Sequence, residues 1–201
     1  MTGGKILTVS SLEKVFPDTV PTMPENGHRI FSNEIFHFQA CVLPSGNSIM
    51  LRIDIESDIK DCISVRIVKS VPAGYAKSPY VDDYILEGRG NNQLYPDILR
   101  PYRKDGEIFV GGSWSSVFIS VDGRKNRLPE GNHVIKIRVY NTYDKTLWDP
   151  LDLSCEYSLT VLKGTVPDSD LVFTHWLHYD CICDKHNARS CNLPVRGKQG
   201  R

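Results

Sequence analysis

The sequence predicts an all-β protein, an antiparallel β-sandwich of the immunoglobulin-like kind. Three observations predict this class. Apolar and polar residues alternate with a period of two in several segments, which is typical of half-buried strands. Turn-forming residues separate these segments, at 44–47, 122–124 and 129–132. No segment has the convincing periodicity of an amphipathic helix. Six or more such strands without helices form a sandwich of two sheets.

In chain order, the predicted strands lie at 34–43, 48–58, 62–71, 114–123, 133–141 and 153–164. The second strand is typical, because Leu51, Ile53 and Ile55 alternate with Arg52 and Asp54. Such a strand has one face in the core and one in water. The first strand, EIFHFQACVL, alternates less cleanly, and we expect it to be buried on both faces. The alternating apolar residues of all six strands form the predicted core.

The long segment 72–112 has no clear strand pattern and is predicted to be a functional or docking loop. It contains five tyrosines, Tyr75, Tyr80, Tyr84, Tyr95 and Tyr102. Tyrosines suit either stacking on sugars or an interface. Both interpretations stay open, and the scattered Tyr and Pro favour a flap that packs on another part of the same polypeptide.

Composition excludes several classes of function. Lys+Arg and Asp+Glu number 24 each and do not form basic runs, so neither nucleic acid nor an anionic membrane surface is expected as a partner. We find no run of about twenty apolar residues that would cross a membrane. The N-terminus MTGGKILTVSSLEKVFPD is not a signal peptide, which predicts a cytoplasmic protein. No motif indicates a cofactor.

Cys41, Cys62 and Cys155 each lie in an apolar, strand-like segment. A free cysteine in such a position behaves as a small buried hydrophobic residue. We therefore interpret these three as core residues rather than as a disulfide framework.

The alternating strand pattern ends shortly before residue 166. We predict a β-sandwich domain at 1–165, then a linker and the first strand of a second, barrel-like domain at 166–185. The final residues, 186–201, are polar and basic, which predicts a disordered tail.

The segment LVFTHWLHYDCICDKHNARSC, at 171–191, is rich in potential metal ligands. However, Cys181 and Cys183 are separated by one residue, whereas structural zinc sites usually need two to four. A Cys181–His178 nucleophilic pair is also conceivable, but no orienting third group or oxyanion donor accompanies it. We therefore predict neither a metal site nor a catalytic residue in this chain.

Another interpretation of this segment is a strand with polar residues at its C-terminal end. In parallel α/β barrels, functional side chains project from that end. We predict that Trp176 stacks on a sugar, while His178 donates to and Asp180 accepts from its hydroxyl groups. The alternative is that these three residues only support packing at the mouth of a barrel.

The order of these features resembles the N-terminal part of bacterial proteins related to glycoside hydrolase family 123, including the domain-of-unknown-function 4091 group. The matching stretches are NEIFHFQACV, YPDIL, WSSVFISVDGRKNRLPEGNHVIKIRV and LVFTHWLHYDCI. The resemblance covers residues 12–185. It implies a β-sandwich, a linker, and then a W-x-H-x-D strand, here Trp176, His178 and Asp180, that opens a TIM-like catalytic barrel.

The resemblance also implies a function. Family 123 enzymes are substrate-assisted N-acetylgalactosaminidases in which an adjacent Asp–Glu pair orients the acetamido nucleophile and supplies the acid. No such dipeptide occurs in these 201 residues. We therefore expect a chain truncated just after the first barrel strand, a remnant without hydrolase activity of its own. The expected role is that of an accessory domain that packs on its catalytic domain and meets carbohydrate through it.

A second hypothesis is a stand-alone carbohydrate-binding module that uses the loop tyrosines or Trp114, and a third is a protein-interaction sandwich. Both remain open from the sequence.

Overall fold

The computed structural model describes residues 4–47, 49–73, 93–141 and 151–167. Within them lie ten strands and one turn of 3₁₀ helix, Lys60–Cys62. The strands are β1 (Lys5–Ser10), β2 (Gly27–Phe31), β3 (Ile35–Leu43), β4 (Ile49–Glu56), β5 (Ile63–Ala73), β6 (Gln93–Pro101), β7 (Glu107–Phe109), β8 (Ser115–Asp122), β9 (Gly131–Tyr140) and β10 (Asp152–Leu162).

The strands form two five-stranded sheets. The first sheet has the order β1-β3-β8-β5-β6 and the second the order β2-β10-β9-β4-β7. Neighbouring strands are antiparallel with one exception, because β2 runs parallel to β10. The predicted all-β, immunoglobulin-like sandwich is confirmed, and its arrangement is mostly rather than wholly antiparallel.

The core lies between the two sheets, where the period-two pattern places alternate side chains. In β9, Ile135, Ile137 and Val139 are fully buried while the residues between them are exposed. An aromatic contact joins the two sheets, because the ring of Phe38 in β3 stacks on that of Tyr157 in β10 with centroids 3.9 Å apart. The Tyr157 hydroxyl donates to Glu25 Oε1 at 2.6 Å at the rim of the core.

Six of the strands coincide with the predicted ones: β3, β4, β5, β8, β9 and β10. β3 has buried residues on both faces, as its irregular alternation indicated. Four strands, β1, β2, β6 and β7, were not predicted. Two of them, β6 and β7, correct the expectation of a patternless loop at 72–112. Pro96 and Pro101 interrupt the apolar pattern of β6, and β7 has only three residues.

The outer face of the second sheet is charged and exposed to water. Arg138 makes a bidentate ion pair with Asp152 at 2.7 and 2.8 Å, and Lys136 lies 3.7 Å from Glu156. Tyr140 donates to Asp54 at 2.8 Å. Such exposed pairs contribute little to stability, because water screens their attraction.

The outer face of the first sheet is covered by the chain itself. A small cluster of Val9, Val15, Cys41 and Trp114 lies on this face. Cys41 points to this face because its neighbours in β3, Ala40 and Val42, point into the main core. The covering segment, 11–17, is held by a backbone hydrogen bond of 2.9 Å from Trp114 to Pro17.

A buried histidine joins two turns at one end of the sandwich. His133, at the start of β9, is 5% exposed. Its Nδ1 lies 2.7 Å from Asp58 Oδ2 and its Nε2 lies 2.8 Å from the carbonyl of Pro129. Both ring nitrogens therefore face oxygen acceptors. The hydrogen bond from His133 lowers the pKa of the Asp58 carboxyl below its usual value.

We expect Asp58→Asn to make the free energy of unfolding less sensitive to acid. A carboxyl whose pKa is lowered by folding stabilises the protein above its unfolded pKa, and this contribution is lost as the pH falls through the folded pKa. Urea midpoints of the parent chain and of Asp58→Asn, measured from about pH 6 to about pH 2.5, test this. The parent chain should begin to lose this stability near the pKa of an unfolded Asp, about 3.9. Asp61→Asn, an exposed neighbour, serves as control, and an equal acid loss in both variants would contradict the prediction.

Candidate functional site

The residues predicted to contact sugar, Trp176, His178 and Asp180, lie outside the described residues. The same is true of Cys181, Cys183 and the rest of segment 171–191. Their roles therefore remain predictions, and the candidate site within the described residues is a different one.

A groove of about 240 Å³ opens at the side of the sandwich where the end strands β6 and β7 of the two sheets lie. We call it the edge groove. Its walls include Ile67, Lys69, Leu94, Glu107, Phe109 and Trp114. Its volume is below the usual range of about 300–1,000 Å³ for ligand sites, so it would hold only a small molecule or one side chain.

Three charged side chains meet across the two sheets beside the edge groove. Glu107 in β7 is 8% exposed, and its two carboxylate oxygens contact Lys69 Nζ in β5 and the Arg100 guanidinium in β6. Burial, with a smaller contribution from Arg100, lowers the pKa of Lys69. A buried carboxylate needs such partners, because an unpaired buried charge is strongly destabilising.

The remaining walls of the edge groove are mainly apolar. Phe109 is 1% exposed and belongs to the main core, whereas Trp114 is 6% exposed and packs in the smaller cluster with Val9 and Val15. The Trp114 ring therefore forms part of a wall and is not an exposed platform for a sugar. This placement weakens the hypothesis of a binding module based on Trp114.

Two tyrosines of segment 72–112 have structural contacts. The Tyr102 hydroxyl accepts a hydrogen bond of 2.9 Å from the amide of Ile53. The Tyr95 ring meets Phe16 edge to face with centroids 5.6 Å apart. Both contacts hold the segment against the sandwich. Tyr75, Tyr80 and Tyr84 lie outside the described residues.

A serine and a histidine are neighbours on the outer face of the first sheet. His37 Nδ1 lies 2.9 Å from Ser120 Oγ, and Arg66 donates to the same oxygen at 3.3 Å. Burial and Arg66 lower the pKa of His37, which favours the neutral ring. Ser120 is only 2% exposed, and the nearby Asp122 carboxylate is held by Arg124 at 2.8 and 2.9 Å. The arrangement is therefore a polar packing contact and does not have the geometry of a catalytic triad.

The cysteines in the described residues are free thiols. Cys41 is fully buried and burial raises its pKa well above the usual range, while burial raises the pKa of Cys155 to about 12. Both are poor nucleophiles at neutral pH, as expected for core residues. Cys62 corrects one detail of the prediction, because it ends the 3₁₀ turn before β5 and is half-buried.

Within the described ranges, no group of three His, Cys, Asp or Glu side chains is placed to hold a metal ion. In the same part of the chain, no helix has the length and apolar character that a membrane crossing requires.

The edge groove was not predicted, although one signal pointed to it. In β5, Val65 and Ile67 turn towards the core, and the next position of that alternation is Lys69. A charged residue on the core face of a strand indicates either a buried partner of opposite charge or a point where the core opens to water. The partner, Glu107, lies 38 residues away in a strand too short to detect.

The described region thus belongs to the class of two-sheet β-sandwich domains, and a groove opens at one edge. No protein-family model matches the chain, and no curated protein matches it. Among solved structures, it is similar to a family 123 glycoside hydrolase from Clostridium perfringens described for glycolipid glycan hydrolysis, with a TM-score of 0.59 and 12% identity. The match covers 83% of this chain and 28% of that hydrolase. A PapD-like domain of human CEP192 is similar at a TM-score of 0.39 and 9% identity, over 82% of this chain and 88% of that one. At these identities the likeness shows the fold alone.

Proposed function

We propose that this chain is the non-catalytic N-terminal domain of a glycoside hydrolase related to family 123, which acts on carbohydrate through a separate barrel domain. One observation carries the proposal. The sandwich matches, over 83% of this chain, a portion equal to 28% of a hydrolase of that family. A domain that corresponds to a minor part of an enzyme is expected to support its catalytic part.

The chemistry of the described residues supports the non-catalytic half of this proposal. Glycoside hydrolysis uses acidic groups at the scissile bond, normally a pair of carboxylates. The edge groove has a single carboxylate, Glu107, and both of its oxygens are occupied by Lys69 and Arg100. No Asp–Glu pair occurs in the sequence. We assign sugar contact instead to Trp176, His178 and Asp180, on a strand that the sequence predicts after the sandwich.

We expect the isolated chain to release no nitrophenol from aryl N-acetyl-galactosaminides or N-acetyl-glucosaminides above a buffer blank. The physical reason is that Glu107, the one carboxylate among the described residues that line the edge groove, is held in ion pairs by Lys69 and Arg100. An absorbance assay at high protein concentration measures this. Turnover that disappears in His178→Ala or Asp180→Asn would contradict the proposal, because it would place catalysis in this chain.

A second experiment tests the relation to the hydrolase. The DNA downstream of the codon for Arg201 is read in all three frames. We expect a continuation with apolar strand segments and an Asp–Glu pair. Sequence that encodes an unrelated protein, together with retention of the chain on a glycan affinity gel, would favour the stand-alone binding module instead.

A further inference from the structure

Among the described residues, the ion pairs beside the edge groove leave one positive charge without a carboxylate. Lys69 and Arg100 carry two positive charges, and Glu107 supplies one negative charge. Among the described residues that line the groove, Lys69 and Glu107 are the only ionisable side chains. Lys69 is 39% exposed, so its ammonium group is accessible to a ligand.

The cluster also has more N–H donors than the two oxygens of Glu107 can accept from. The Lys69 ammonium has three N–H donors and contacts Glu107 Oε1, while the Arg100 guanidinium has five and contacts Glu107 Oε2. The lowered pKa of Lys69 reflects its burial next to Arg100. A second anion at this position would bring the cluster to neutrality and accept from donors that Glu107 leaves free.

The rest of the edge groove suits an apolar group. Ile67, Phe109 and Trp114 line the groove, as do Leu94 and Ile108, which are exposed by 51% and 60%. A ligand that covers Leu94 and Ile108 removes their apolar surface from water, which is favourable. The groove therefore combines the Lys69 ammonium group, with the Arg100 guanidinium beside it, and an apolar body.

We propose that the edge groove binds a small amphipathic carboxylate. Its carboxylate joins the Lys69–Glu107–Arg100 cluster, and its apolar body lies against Phe109 and Trp114. This assignment does not depend on the hydrolase relationship, because it rests only on the groove.

Calorimetric titration of the full chain with three small probes tests the assignment. Hexanoate carries both the charge and the apolar body, acetate only the charge, and hexanamide only the body. We expect hexanoate to bind at least about tenfold more tightly than either of the other two. The indole N–H resonance of Trp114, assigned with Trp114→Phe, should shift on addition of hexanoate. Equal affinities for hexanoate and hexanamide, or an unmoved indole resonance, would overturn the proposal.

Two substitutions at the cluster have opposite expected effects. Lys69→Met keeps the length of the side chain and leaves Glu107 paired with Arg100, so the domain should fold while hexanoate affinity falls about tenfold. Glu107→Gln removes the competing carboxylate, so hexanoate should bind more tightly and raise the melting temperature more than in the parent chain. Lys136→Met, which removes an exposed lysine paired with Glu156 on the far sheet, is the matched control and should bind like the parent. Unchanged affinity in Lys69→Met, or weaker binding in Glu107→Gln, would refute the assignment.

Discussion

Tyr157→Ala is expected to lower the free energy of unfolding by about 3–5 kcal/mol, the usual range for removing a large buried aromatic side chain. Tyr157 is fully buried in β10, and its ring stacks on Phe38 of β3 at 3.9 Å and approaches Phe36 at 5.8 Å. The substitution therefore opens a cavity at the contact that joins the two sheets. Since the free energy of unfolding of small domains is about 5–15 kcal/mol, this loss is a large fraction of the total stability.

Urea denaturation followed by far-UV circular dichroism measures this effect as a shift of the midpoint at unchanged slope. Tyr157→Phe keeps the ring and removes only the hydrogen bond to Glu25, so a loss of about 1–2 kcal/mol is expected. Val134→Ala, at a position on β9 that is 42% exposed, should change stability by less than about 0.5 kcal/mol. A Tyr157→Ala protein as stable as the Val134→Ala control would show that the sheets do not meet as described.

Gln39→Leu is expected to destabilise the domain by about 2–4 kcal/mol, because it leaves buried polar groups without partners. Gln39 is 3% exposed in β3. Its Nε2 donates to the carbonyls of Ser10 at 3.1 Å and Glu13 at 2.8 Å, and its Oε1 accepts from Ser116 Oγ at 2.5 Å. These bonds anchor the segment 11–17 that covers the first sheet. Amide hydrogen exchange at Trp114, whose N–H bonds to Pro17, should quicken in the variant.

A double substitution separates the polar contribution from the change of shape. Adding Ser116→Ala to Gln39→Leu removes a buried hydroxyl, 2% exposed, that the single variant leaves unpaired. The double variant should therefore be less destabilised than the sum of the two single variants, by about 1 kcal/mol. Strict additivity would mean that Gln39 and Ser116 do not interact.

Much of the fold was predictable because period-two alternation reflects the position of each residue relative to one core. Ile53 in β4 and Ile137 in β9 illustrate this, since each lies between exposed charged residues and each is buried. The sequences of β6 and β7 do not show this alternation. Their position at the sheet ends exposes Leu94, Ile98 and Ile108, so the contrast between two faces disappears.

The candidate site was predictable only in part. The resemblance assigned sugar contacts to Trp176, His178 and Asp180 beyond the sandwich, and that assignment stays a prediction. The edge groove depends on Lys69 and Glu107, which come from strands in different sheets and have no local relation in the sequence.

The sequence by itself determined the class of fold and most of its strands, because burial of alternate side chains is a local requirement. It also predicted the buried Cys41 in β3, whereas Cys62 and Cys155 are only half-buried. Only the tertiary structure decided the parallel pairing of β2 with β10, the cover of 11–17 over the first sheet, and the cluster of two cations on Glu107. These features depend on contacts between distant segments, whose free energy arises only when the sheets close on each other.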